Sequence, residues 1–91
     1  LRSGDVLARF GGDEFVALLT GTGPQIGEEV AERILRASGA VRVADGRALT
    51  VSIGLTAYVP GDDFAALFER ADRALYDAKR SGRDTMRVRY A

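Results

Sequence analysis

Two apolar runs near the start of the chain predict a β-hairpin. Val6 to Phe10 alternates apolar and polar positions, and Phe15 to Leu19 is almost continuously apolar, with a glycine-rich turn between the two runs. A strand that is apolar on both faces is usually covered on both. We therefore expect the second strand to lie inside a sheet with helices on each side.

Two longer stretches have the periodicity of amphipathic helices. The first is expected to run from Thr22, a candidate cap, to about Gly39. Its predicted apolar stripe is Ile26, Val30, Ile34 and Ala37. The second is expected to be capped by Asp62 or Asp63 and to end at Gly82. Its predicted apolar stripe is Phe64, Leu67, Phe68, Ala71, Ala74, Leu75 and Ala78.

Further strands are predicted between the helices and after them. Residues 41–44 precede Asp45-Gly46, a strong hairpin turn, and the return strand alternates cleanly through residues 49–57. Residues 86–90 form a short last strand. The order β-β-α-β-β-α-β indicates an α+β fold: a mixed, mainly antiparallel sheet flanked by helices, in a palm-like arrangement.

Composition restricts the chemistry. The chain has 91 residues, enough for one small domain, and its 13 basic and 13 acidic residues give no net charge, which argues against DNA or RNA binding. It lacks Cys and His, which excludes disulfides, thiolate zinc sites and Ser-His catalysis. A metal would need oxygen ligands, which favours Mg²⁺. Without an apolar run that could anchor the segment or a signal-peptide core, we expect a cytoplasmic location and no direct membrane contact.

Few residues stand out as candidates for chemistry. Gly11-Gly12-Asp13-Glu14 places two carboxylates beside two glycines, but spacing alone favours an ordinary solvated turn. Lys79 and Arg83 lie near the end of the second helix, where cations suit the helix dipole in any protein. Taken by themselves, these residues do not identify an activity.

Three motifs in order along the chain change this assessment. Residues 7–15, LARFGGDEF, resemble the signature of the GGDEF family, the diguanylate cyclases. Residues 50–55, TVSIGL, resemble its strand motif, and residues 71–84, ADRALYDAKRSGRD, resemble its closing helix. Asp84 departs from the Asn that is more usual in the family, and we expect this to affect the turn rather than the chemistry.

The resemblance implies a palm-like, nucleotidyl-cyclase-like fold. It also implies a bacterial signalling enzyme that condenses two GTP molecules into cyclic di-GMP and releases pyrophosphate. By the family pattern, Asp13 is a Mg²⁺ (or Mn²⁺) ligand that also accepts the 3′-hydroxyl proton, and Glu14 is a second catalytic and metal-binding acid. The implied substrate-binding residues are Gly11, Gly12, Lys79 and Arg83. Phosphoryl transfer depends on positioning and charge neutralisation, so the absence of His is no obstacle.

A second motif resembles the product-inhibition site of the family. Arg2 and Asp5 form its RxxD pattern at a fixed spacing before the glycines, and Arg33 stands where a further arginine is expected. Arginine and aspartate can bind guanine edges and phosphates in bidentate fashion. We therefore expect cyclic di-GMP to bind at Arg2, Asp5 and Arg33 as an allosteric inhibitor.

The resemblance also indicates what the 91 residues lack. The family domain begins with a helix, a strand bearing a metal-binding Asp, and guanine-reading Asn and Asp residues, and none has a counterpart here. We expect residues 1–91 to be the C-terminal portion of one GGDEF domain, truncated at its N-terminus, inactive alone and prone to edge pairing or domain swapping. The parent enzyme is expected to act as a homodimer and can be membrane-anchored through other domains. The alternatives are a regulatory domain that binds GTP or cyclic di-GMP without catalysis and a metal-independent interaction domain.

Overall fold

The chain folds as a four-stranded sheet with one helix on each face. The computed structural model describes residues 1–11, 15–82 and 84–90. The elements are β1 (Val6–Phe10), β2 (Phe15–Leu19), α1 (Pro24–Gly39), β3 (Ile53–Ala57), α2 (Phe64–Arg80) and β4 (Met86–Val88). The strand order is β2-β1-β3-β4, antiparallel except for the parallel β3–β4 pair. The predicted α+β class with a mixed, mainly antiparallel sheet is confirmed.

The alternation of β1 and β3 divides the core between the two faces of the sheet. The α1 face buries Val6, Ala8, Phe10, Ala31, Ile53 and Leu55. On the opposite face, Leu7 packs against Leu67 and Ala71 of α2. Successive side chains of a strand point to opposite faces, so one short strand supplies both halves of the core.

Helix α2 lies unusually close to the sheet at Gly54. A Cβ atom placed on Gly54 would lie 2.1 Å from the backbone nitrogen of Leu75 and 2.4 Å from the carbonyl oxygen of Ala71. A glycine inside a strand commonly marks a place where another backbone approaches closely. Gly54 therefore sets the height of α2 above β3.

The start of α2 is fixed by a cap and by an ion pair. The Asp63 carboxylate accepts a hydrogen bond from the Ala66 backbone N–H at 2.8 Å, so of the two predicted caps Asp63 is the one used. Arg70 makes a double hydrogen bond with Asp62, through Nη1 at 3.2 Å and Nη2 at 2.5 Å. Its Nε donates to the Thr56 hydroxyl at 2.8 Å. The first turns of α2 are thus tied to the end of β3.

The expectation that the second strand is buried on both faces is wrong. Val16 is 41% exposed and Leu18 is 43% exposed. They belong to β2, which is an outer strand of the sheet, and they project to the α2 side beside Arg9 and Leu7. Helix α2 packs against β1, β3 and β4, so this side of β2 is left uncovered within the described residues.

The predicted stripe and cap of α1 also need correction. Ile26 and Ala37 are exposed, whereas Gly27, Ala31 and Ser38 are buried. The reason is close packing, because a Cβ on Gly27 would lie 2.8 Å from Val6 Cγ1, which leaves room there only for small residues. The predicted Thr22 cap is also wrong: the N-cap residue is Gly23, and no side chain caps the helix.

The second hairpin is shorter than predicted. Asp45-Gly46 does form a turn, with Gly46 at φ 86°, but the flanking chain forms only an isolated bridge between Arg42 and Ala48. The return strand begins at Ile53, the partner of Phe10 at the end of β1. Among the described residues before it, Leu49 donates a single backbone hydrogen bond to Val41 and Ser52 accepts one from Gly11, which does not make a continuous ladder.

The last strand also ends early. It stops at Val88, and the Tyr90 hydroxyl donates to the Glu28 carboxylate on α1. Burial and this carboxylate raise the pKa of Tyr90.

Within the described ranges, neither helix is long and apolar enough to cross a membrane.

Candidate functional site

The turn after β1 and the last turn of α2 meet at Gly11 and Lys79. The buried Gly11 donates its backbone N–H to the Ser52 carbonyl at 2.9 Å, which anchors the start of the turn to β3. A Cβ on Gly11 would lie 2.8 Å from Lys79 Cε and 3.5 Å from Lys79 Nζ. The absence of a side chain at Gly11 therefore lets the lysine lie directly against the turn.

A small hollow of about 160 Å³ opens beside this contact. It is lined by Asp72, Leu75, Tyr76 and Lys79, all from α2. The Tyr76 ring is largely exposed, and the Arg80 guanidinium carbon lies 5.7 Å from its centroid, in the range of a cation–π contact. The hollow thus combines an ammonium group, a carboxylate and an aromatic surface.

A charged pair braces the wall of this hollow. Arg9 Nε lies 3.3 Å from Asp72 Oδ1, and the Arg9 guanidinium carbon lies 5.0 Å from the centroid of Phe68. Neither Arg9 nor Asp72 was among the residues predicted for the site. The available signal was the position of Arg9, the one charged residue of β1, on the same face as Leu7.

The remaining predicted catalytic and metal-binding positions lie outside the described residues. These positions are Gly12, Asp13, Glu14 and Arg83. Within residues 1–11, 15–82 and 84–90, no group of three or more acidic side chains could hold a metal ion. The nearby Asp84 has φ 47°, a left-handed conformation that Asn and Asp tolerate better than most residues.

Asp5 fastens two turns together. It is only 3% exposed, and its two oxygens accept hydrogen bonds of 3.0 Å from the backbone N–H groups of Arg2 and Gly21. A further bond of 2.9 Å joins the Gly23 N–H to the Gly4 carbonyl. The turn that carries Arg2 is therefore attached to the turn that leads into α1.

The two arginines predicted to bind product are open to solvent. Arg2 and Arg33 are both exposed, and neither guanidinium forms an ion pair within the described part of the chain. Arg33 lies on α1, whose start is tied to the Arg2 turn through Asp5. The structure thus connects the elements that carry both arginines, although no described contact joins Arg33 to Arg2 or Asp5.

A family comparison identifies this combination of turn, strand and helix. The model described as "Diguanylate cyclase, GGDEF domain" matches residues 1–85. The chain belongs to the GGDEF family. This GGDEF chain is 44% identical over 91 residues to "Diguanylate cyclase DgcP" of Pseudomonas aeruginosa, covering 97% of the chain and 14% of that protein. It is 40% identical over 92 residues to "Response regulator PleD" of Caulobacter vibrioides, covering 94% of the chain and 20% of that protein.

A solved structure supports the fold. The GGDEF chain superposes with a TM-score of 0.83 on the GGDEF domain of DgcB from Caulobacter crescentus, solved in complex with c-di-GMP. The two chains are 21% identical, and the match covers 92% of this chain and 74% of that one. By contrast, the chain spans only 14% to 24% of the length of DgcP and of diguanylate cyclase A of Treponema denticola.

Proposed function

We propose that this GGDEF segment belongs to a diguanylate cyclase that condenses two GTP molecules into cyclic di-GMP and releases two pyrophosphates. The observation that carries the proposal is the seating of Lys79 against Gly11, immediately before Gly12, Asp13 and Glu14 in the sequence. A lysine held against a glycine turn can place its ammonium group on a phosphate that approaches the backbone closely.

In this proposal the glycine turn and the end of α2 bind and orient the triphosphate. The Lys79 ammonium donates to oxygens of the β- and γ-phosphates, and Arg83 adds a second cation. Arg9 forms an ion pair with Asp72 in the wall beside Lys79, so the Asp72 carboxylate faces the Arg9 guanidinium. Gly11 and Gly12 keep side chains away from the path of the phosphates.

The donor set fits a hard divalent cation. Asp13 and Glu14 are adjacent carboxylates in the sequence, and Mg²⁺ is usually held by one or two carboxylates together with substrate phosphates. We propose that these two residues hold Mg²⁺ or Mn²⁺. When bound, the ion would neutralise developing phosphate charge, and Asp13 is proposed to accept the 3′-hydroxyl proton.

The reaction is proposed to need more than residues 1–91. Two GTP molecules react with each other, so two GGDEF segments must face one another as a homodimer. The family's additional metal-binding Asp and its guanine-reading residues have no counterpart among these residues. We propose that residues 1–91 form the C-terminal portion of a GGDEF domain and by themselves make no cyclic di-GMP.

Product inhibition is proposed at the second site. Arg2 and Arg33 offer exposed guanidinium groups suited to guanine edges and phosphates. Asp5 keeps lone pairs after accepting its two backbone hydrogen bonds, and it also fixes the turn that carries Arg2. Binding of cyclic di-GMP there would lower the rate of synthesis.

The test uses the natural protein that carries this segment, incubated with GTP and Mg²⁺. Replacing Lys79 with Met should lower the rate of cyclic di-GMP formation about 10- to 100-fold, because a charged hydrogen bond is worth about 1.5–3 kcal/mol. Arg36→Met removes an exposed cation from α1 and should leave the rate unchanged. Equal rates for Lys79→Met and the natural protein would refute the assigned role of Lys79. Binding of GTP or cyclic di-GMP without synthesis would instead identify a regulatory binding domain.

A further inference from the structure

A second hollow lies on a different side of α2 from the one beside Lys79. It measures about 290 Å³ and is lined by Ala66, Glu69, Arg70, Arg73 and Arg89. No residue that lines it also lines the Lys79 hollow. Three arginines thus line one hollow together with Glu69 and Ala66, and none of them has a part in the proposed cyclase reaction.

Arg70 is a pre-positioned cation at this site. Only 16% of its side chain is exposed, and its guanidinium is held by Asp62, by the Thr56 hydroxyl and by the Ala57 carbonyl, which accepts from Nη2 at 3.0 Å. Ordering a free arginine side chain costs conformational entropy. For Arg70 that entropy is already lost in the folded chain. Four of its five N–H groups are used by Asp62, Thr56 and Ala57, so among the described residues one Nη1 hydrogen is left to contact a ligand without further ordering.

The other two arginines are held loosely by carboxylates. Arg73 Nη2 lies 2.7 Å from Glu69 Oε1, and each side chain is 65% exposed. Arg89 Nε lies 2.8 Å from Asp77 Oδ2, with side chains 43% and 36% exposed. Exposed ion pairs of this kind contribute only about 0–1 kcal/mol. An anion that enters the hollow can therefore replace Glu69 or Asp77 as the partner at little cost.

The surrounding charge favours an anion. The pKa of Asp77 is lowered first by its hydrogen bond from Arg89 and further by the charges of Arg89, Arg80 and Arg87. Arg80 and Arg87 thus add positive potential at Asp77, the partner of Arg89. Each guanidinium that lines the hollow is paired with one carboxylate, from Asp62, Glu69 or Asp77, and Arg80 and Arg87 are cations in addition to those three pairs.

We propose that this hollow is a binding site for a small phosphate-bearing anion such as pyrophosphate or the phosphates of a nucleotide. Guanidinium groups form paired hydrogen bonds with phosphate oxygens, and several guanidiniums around one concave surface suit a ligand with several oxygens and more than one negative charge. The site is separate from the proposed substrate and product sites, so its existence does not depend on the cyclase reaction.

The test titrates inorganic pyrophosphate into the ¹⁵N-labelled chain and follows the backbone amides by NMR. We expect shifts at Ala66 and Arg89, distinct from any shift at Gly11 beside Lys79. The double variant Arg73→Gln, Arg89→Gln should weaken binding at Ala66 by more than about 100-fold, since two charged contacts of about 1.5–3 kcal/mol each are lost.

Two controls separate this site from the others. Arg36→Gln removes an arginine from an exposed i,i+4 pair with Glu32, the same kind of pair as Arg73 with Glu69, and should leave the Ala66 titration unchanged. Lys79→Gln should change only the shifts at Gly11. Thermal melts should show that the variants keep the natural fold, because the replaced arginines are exposed.

Several results would overturn the proposal. One is the absence of shifts at Ala66 up to millimolar pyrophosphate, and another is a titration at Ala66 that the double variant leaves unchanged. A third is sedimentation with phosphatidylglycerol vesicles that the double variant abolishes while free pyrophosphate gives no response, which would assign the hollow to a lipid surface. Binding of an acidic peptide, again without a response to pyrophosphate, would assign it to a protein partner.

Discussion

The contact between Gly54 and α2 gives a sharp prediction for Gly54→Ala. The new methyl group would lie 2.1 Å from Leu75 N, 2.4 Å from Ala71 O and 2.7 Å from Leu75 Cα, all of them backbone atoms that cannot rotate away. Ordinary carbon contacts are about 3.5–4 Å, so α2 would have to rise by more than about 1 Å. Overpacking of this kind costs about 1–3 kcal/mol, and backbone partners place this case at the upper end.

The assay is thermal unfolding of the natural chain and the variant, followed by circular dichroism. A loss of about 3 kcal/mol corresponds to a fall in Tm of about 12–24 °C for a domain of this size. Gly39→Ala is the matched control, because Gly39 ends α1 and has no atom within 4 Å of the added Cβ. Helix propensity predicts that this control changes stability by less than about 1 kcal/mol, in the stabilising direction.

If the Tm of Gly54→Ala lies within about 2 °C of the Tm of the natural chain, the predicted overpacking is refuted, since a loss of even 1 kcal/mol shifts Tm by more than that. The same variant should also disturb the Lys79 site. Helix α2 carries Lys79, so raising the helix withdraws the lysine from Gly11. The amide shift of Gly11 in any folded fraction of the variant should therefore differ from that of the natural chain.

Three further predictions concern carboxylates with a structural role. Asp63→Ala removes the cap of α2 and should lower the free energy of unfolding in urea by about 1 kcal/mol; an unchanged midpoint would contradict the cap. Asp5→Ala leaves the Gly21 N–H without its acceptor and should lower the free energy of unfolding by about 1–3 kcal/mol. Hydrogen exchange at Gly21 should become faster, and exchange as slow as in the natural chain would contradict the Asp5–Gly21 hydrogen bond. For Asp62, the hydrogen bond from Arg70 lowers the pKa below 3.8, so its stabilisation is complete above pH 3.8 and is lost as the pH falls below that value. Natural and Arg70→Met chains should therefore differ less in stability at acid pH than at pH 7, and a constant difference would be contrary evidence.

Periodicity predicted the positions of the helices and strands better than it predicted which of their side chains are buried. The bounds of both helices were close to those observed, because caps, breakers and apolar spacing are local properties of the chain. The burial of Val16 and Leu18 was predicted wrongly because it depends on which strand is at the edge of the sheet. The apolar pattern of β2 is compatible with burial on both faces, but it does not show that α2 packs against β1, β3 and β4 instead.

The residues of the candidate site were likewise predicted only in part. Gly11 and Lys79 were assigned by resemblance, and the structure brings them together. Arg9 and Asp72, which also belong to this site, were missed because they meet only when β1 and α2 pack, at a separation of 63 residues. The small side of α1 at Gly27 was missed because it depends on Val6, which lies across the core.

The parallel pairing of β3 with β4 has a consequence for the order of folding. The unit β3-α2-β4 is contiguous in sequence from Ile53 to Val88, with 28 residues between its two strands, whereas β1 pairs with β3 across 42 residues. Because closing longer loops costs more entropy, we expect the β3-α2-β4 unit to form first. Pulse-labelling hydrogen exchange should show protection in this unit before β1, and simultaneous protection would rule the order out. Lys79 would then be in place before Gly11 arrives, so that the phosphate-binding contact is completed only when the N-terminal hairpin docks.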